Sequence, residues 1–189
     1  MTEMDDYSGE FRPDLRLQDF SKDRLVEFWH TACRMFVLID GLWCALVTEK
    51  LGSQKAIEWD TEVWKRLLPR EFNWVRQAGK IGGNDIASVL KLYQIDPGVA
   101  GIMQLDCRLE NANHGTVTVR SCRSLEYAER SQDAKLMKGE TPFMCELDAE
   151  LIPQMAHRFN PKIRTGFPKL PPRKSRDEVA CIWDFRIEE

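Results

Sequence analysis

The chain has 189 residues, 43% of them apolar, with 27 basic against 30 acidic side chains and a net charge of −3. That length suits one ordinary domain with a real core, and the slight acidity argues against nucleic acid as a partner, which needs a positive field along a groove. Six cysteines without regular spacing and without a CxxC pair exclude a secreted disulfide framework and give no zinc or redox signature.

Residues 1–18 are polar, contain Pro13 and read as a mobile tail that docks at most through Phe11, Leu15 and Leu17. Their acidic start, "MTEMDDYSGE", lacks the layout of a secretory signal. No apolar run reads as long enough to span a bilayer, so the expected address is the cytoplasm, with no membrane partner. Residues 19–189 are expected to form one α+β domain, helical over 19–98 and sheet-containing over 99–189.

Ser21 caps a helix in which Leu25, Trp29, Ala32, Phe36, Ile39, Trp43, Leu46 and Val47 recur at three- and four-residue steps as far as Gly52, with a bend expected near Asp40-Gly41. Phe28, Met35, Val37 and Leu38 fall partly outside that face. A helix apolar over most of its circumference must bury more than one side, so a homodimer is expected beside it. Ser53 restarts the pattern through Ala56, Ile57, Val63, Trp64, Leu67 and Leu68, and Pro69 forces a kink or a new start. After "GKIGG", Asn84 is the expected cap of a third helix, which Pro97-Gly98 ends.

The period then changes. Met103, Leu105, Cys107 and Leu109 alternate with polar residues, "NANHG" is turn chemistry, and Val117 and Val119 alternate again, so 102–122 reads as a hairpin. A helical pattern follows. Thr141-Pro142 reads as a cap followed by proline at the first position of a helix over 142–158. "KIRTGF" reads as a strand, and Val179, Cys181, Trp183, Phe185 and Ile187 share one face of the last and clearest one. About four strands are expected in one antiparallel sheet.

"DGLWCALVTEKLGSQKAIEWDTEVW", "SCRSLE", "FNPKIRTG" and "DEVACIWDF" resemble, in order and spacing, an uncharacterised prokaryotic family of small cytosolic proteins, a domain of unknown function. That family is distantly similar to L-2-amino-thiazoline-4-carboxylate hydrolases and, more weakly, to 4-vinyl-reductase-type ligand-binding domains. The resemblance implies a small-molecule-binding protein that hydrolyses a carbon–nitrogen bond of a small anionic substrate. Its rival is a non-catalytic ligand-binding or interaction module paired through helices. The family pattern carries cysteines at Cys122, Cys145 and Cys181. Phe167 and Leu170 stand where it has a further cysteine pair, and Ile39 where it often has histidine. With part of any sulfur cage missing, no metal and no cofactor are expected.

Cys145 falls in the first turn of its helix, where the dipole favours a thiolate that can attack carbon; packing under the sheet is the competing reading. Cys122 lies between Arg120 and Arg123 and four residues before Glu126, so it joins a site only where folding brings it to Cys145 or Cys181. Cys145, Cys122 and Glu126 are the catalytic candidates. Arg123 and Arg164 are candidates for holding an anion, as against exposed edge and loop residues. Asp40 is an acid in an apolar run, either a polar anchor or part of a pocket, and Trp43, read most simply as packing, joins it as a ligand-binding candidate.

Overall fold

The computed structural model describes residues 3–131, 137–138 and 141–188. Helices α1 (Lys22–Leu51), α2 (Ser53–Ala78), α3 (Ile86–Ile95) and α4 (Pro97–Ala100) precede the strands β1 (Met103–Asn111) and β2 (His114–Cys122). Helix α5 (Arg123–Ser131), the two-residue strands β3 (Met137–Lys138) and β4 (Thr141–Pro142) and helix α6 (Phe143–Phe159) follow. Strands β5 (Ile163–Lys169) and β6 (Cys181–Ile187) close the chain. The main sheet is antiparallel in the order β1-β2-β6-β5, so the fold is α+β with its helices mostly N-terminal.

Local chemistry sets the helix ends. The Ser21 hydroxyl accepts from the Arg24 N–H, and Gly52 ends α1 with a positive φ of 89° that other residues resist. Two expected boundaries shift. Asp85, not Asn84, caps α3, because its carboxylate accepts from the Ser88 N–H at 2.9 Å and is held below the usual carboxylate range by that side chain and backbone. Pro142 is the residue before α6 and not its first helical residue. Pro69 lies inside an α2 that continues past it. The residues before α1 fold back on the chain: the Met4 N–H donates to the Asp19 carbonyl and the Ser21 N–H to the Met4 carbonyl, both at 2.9 Å, and Tyr7 meets Phe20 edge-on.

Alternation explains the sheet's inner face. Val117, Val119, Ile163, Trp183 and Phe185 are fully buried, and register places Val117 beside Trp183 and Gly115 beside Phe185. Against this face pack Ile86, Val89 and Leu92 of α3 and Leu151, Met155 and Ala156 of α6. Gly115 permits that approach, since a Cβ there would stand 2.7 Å from Ile86. Gly101 does the same for α1, whose Cys33 would lie 2.6 Å from an added Cβ.

The α1–α2 hairpin is attached on one side only. Cys33, Cys44 and Val47 are the buried residues of α1, and Cys44 and Val47 join Ala56 of α2 and Phe143 of α6 in a small second core. The opposite face of α1 is open. By length and composition α1 is apolar enough to cross a bilayer, which corrects the expectation that no run reaches that length. The polar residues near its two ends hide this, since Asp40 is the one charged residue between Arg34 and Glu49.

Candidate functional site

The topology gathers three cysteines. Cys122 ends β2 and Cys181 begins β6, and these strands are antiparallel neighbours, so both residues lie at the same end of the sheet. Cys145, in the first turn of α6, is brought over that end. One turn on, Asp148 joins them, and all four line one cavity with Phe167, Leu170 and Trp183. Phe167 and Leu170, where the resemblance implied a further cysteine pair in relatives, face the same space. The cavity encloses about 20 Å³, room for one water molecule.

Electrostatics here opposes a thiolate. Burial pushes the Cys145 thiol far above its ordinary range, and the Asp148 carboxyl and the other two thiols add to that. Burial and Asp148 push Cys181 up to about 12, and burial raises Cys122. Asp148 is itself pushed up to about 7 by burial and by Asp96. The dipole of α6 is outweighed by this combination of low dielectric and neighbouring acid.

The other candidates lie elsewhere. Arg123 is exposed. Arg164 is exposed on β5, donating to Glu188 at 3.1 Å and to the Pro161 carbonyl at 3.0 Å. Glu126 is half-buried and reaches Arg130 at 4.0 Å. None of the three lines the cavity. The buried cation of this region is Arg173, whose side chain is 1% exposed and holds Glu129 with two hydrogen bonds, at 2.7 and 2.9 Å.

Asp40 and Trp43 belong to the hairpin. Trp43 packs on the small second core. Asp40 lies near Asp60 of α2, which is fully buried and meets no N–H or O–H donor among the described residues. Burial raises both acids, and the neighbouring Asp40 charge helps push Asp60 up to about 8. The Trp64 indole lies beside Asp40 and favours its ionised form, but its N–H stands outside hydrogen-bond geometry.

A second acidic group lies deeper. Glu71 and Asp96 are buried, and burial raises both. Asp96 accepts from the Gly98 and Val99 N–H groups at 2.9 and 3.1 Å. The Tyr93 hydroxyl is buried and has no hydrogen-bond partner among the described residues, and burial, with Asp96, Asp148 and Glu71 nearby, pushes it well above its ordinary range. Among the described residues, no ion pair joins Asp60, Glu71, Asp96 or Asp148 to a base, and no three His, Cys, Asp or Glu side chains are placed to hold a metal.

Sequence reasoning singled out Asp40 and passed over Asp60, Glu71, Asp96 and Asp148. Three of these carried the same signal. Asp60 continues the stripe of Ala56, Trp64 and Leu67, Glu71 that of Leu68 and Val75, and Asp148 that of Cys145 and Ile152. An acid at helical spacing within an apolar stripe marks an interior carboxyl.

The chain belongs to the DUF6125 family, a family of unknown function whose model matches residues 18–187. No curated protein and no solved structure matches it. These comparisons carry the resemblance to the uncharacterised family and extend it neither to the thiazoline carboxylate hydrolases nor to the vinyl-reductase-type domains.

Proposed function

For a member of that family, we propose a non-catalytic interaction module that works through the outward face of α1. The observation that carries this reading is that face: Met35, Leu38, Ile39, Leu42 and Leu46 are each between 53% and 66% exposed. A contiguous apolar patch of this kind marks a contact surface in a folded protein. The cavity supports the same side of the choice. It has room for one water, its thiols are held protonated, and its acid carries no paired base, a poor setting for an anionic substrate.

A second reading, hydrolysis of a carbon–nitrogen bond, draws on one feature. Asp148, raised to about 7, can exchange a proton at neutral pH beside Cys145. Brief iodoacetamide treatment of the folded protein at neutral pH, followed by peptide mapping, separates the two readings. A module leaves Cys145 unmodified until the chain unfolds. Stoichiometric alkylation of Cys145 within the time that labels a free thiol would sink the module reading and restore a thiol enzyme.

A further inference from the structure

The outward face of α1 has a finer pattern than exposure alone. Phe28, Ala32, Met35, Ile39, Leu42 and Leu46 follow one another at steps of four, three, four, three and four residues, and all six are exposed. That is the 3.5-residue period by which one helix packs along another, over about 27 Å at 1.5 Å per residue. Inside the chain Phe20 meets the Phe28 end of this row edge-on at 5.0 Å, while α2, α4 and α6 occupy the opposite face through Cys33, Cys44 and Val47 and leave the rest of the row exposed.

We propose that the occupant is a second copy of this chain, its α1 lying antiparallel on the first about a two-fold axis near residue 37. This rests on the module reading and names the partner. The row is self-complementary about that point: Phe28 meets Leu46, Ala32 meets Leu42, and Met35 meets Ile39, large against small or medium at each level. Charge selects the direction. Arg24 lies at one end of the same face and Glu49, exposed, at the other, so antiparallel pairing sets Arg24 of each copy near Glu49 of the other. A parallel pair would place arginine by arginine and glutamate by glutamate. Between these ends the row carries no charge, and a closed two-fold contact covers both apolar faces at once.

The test joins mass to direction. Size-exclusion chromatography with light scattering on the full chain is expected to give twice the 22.0 kDa chain mass, and Leu42→Glu to give the single-chain mass with an unchanged circular dichroism spectrum. Ala45→Glu, beside the row, guards against a Leu42 variant that fails to fold. Spin labels on Arg34→Cys and Lys50→Cys, read against labelled wild type, are expected to lie about 9 and about 39 Å apart along the axis within the dimer. Equal short distances at both sites would overturn the antiparallel pairing. A monomeric wild type overturns the second copy as occupant. If that monomer binds an apolar dye that Leu42→Glu abolishes, the module reading stands with another partner; if it binds none, both fall. A monomer that floats with phosphatidylcholine–phosphatidylglycerol vesicles assigns the face to lipid and also overturns the pairing.

Discussion

The hairpin and the sheet solve the same problem in opposite ways. In the sheet half, apolar residues face inward and the acids at the rim have bases. Arg173 hydrogen-bonds Glu129 and holds it below the usual carboxylate range. Asp184, which burial alone would raise, is brought below it by Arg186 and His114, the latter at 2.7 Å. In the hairpin, half-buried Asp40 and buried Asp60 and Glu71 have no ion-paired base among the described residues, while Met35, Ile39 and Leu42 of α1 turn outward. The sheet is finished as it stands. The hairpin's exterior is what another surface would complete, and its interior acids, together with Asp96 and Asp148, make the chain respond to pH.

The largest expected difference between the two is in truncation. Trp183→Ala removes a fully buried ring that meets Tyr93 edge-on at 5.2 Å, and should cost about 3–5 kcal/mol in urea unfolding. Next comes Arg173→Met, which strands Glu129. Because Glu129 keeps 26% of its side chain exposed and can take up water, a loss of about 1–3 kcal/mol is expected.

The interior acids set a smaller effect with a defined sign. Asp60, Glu71, Asp96 and Asp148 are raised in the folded chain. Below the ordinary carboxylate range both states hold these protons and the groups do not discriminate. Above it the unfolded chain releases them while the folded chain keeps them, so folding stability falls as pH rises from about 4 through about 8, the value to which Asp60 and Glu71 are raised. Thermal melts should therefore show the protein more stable at pH 5.5 than at pH 8. The paired acids, Glu129 and Asp184, act in the other direction, but only as pH falls through the ordinary carboxylate range. Asp60→Asn, which cannot ionise, should flatten the slope and gain on the order of 1 kcal/mol at pH 8. A slope of equal size in that variant would place the titration elsewhere. The smallest effect is at the surface: Arg164→Ala breaks an exposed pair with Glu188 and should stay within about 0.5 kcal/mol.

Much of this contrast was legible in the residues. Alternation at Val117, Val119, Trp183 and Phe185 is a strong signal because one sheet face is buried, and the caps at Ser21 and Gly52 are written in the local chemistry of the chain. The convergence of Cys122, Cys145 and Cys181 was not legible, since it depends on β2 and β6 being antiparallel neighbours and on α6 reaching over their shared end. The protonated state of Cys145 was hidden for the same reason. Its place in a helix's first turn argues for a thiolate, and only the packed structure shows Asp148 and two more thiols around it. On α1, periodicity showed apolar residues on several faces, but which face the chain covers was decided by Gly101 and by α2.

Oxidation of Met35 tests most directly whether the hairpin's exterior is a working contact. Met35 is 57% exposed in the single chain, whereas Met155 is a core residue at 3%. Treated with dilute hydrogen peroxide and mapped by peptide, Met35 should react several-fold more slowly than in the urea-unfolded chain at high micromolar concentration, and faster on dilution as α1 separates from its partner. Oxidation of Met35 at the unfolded rate at every concentration would contradict a covered α1 face.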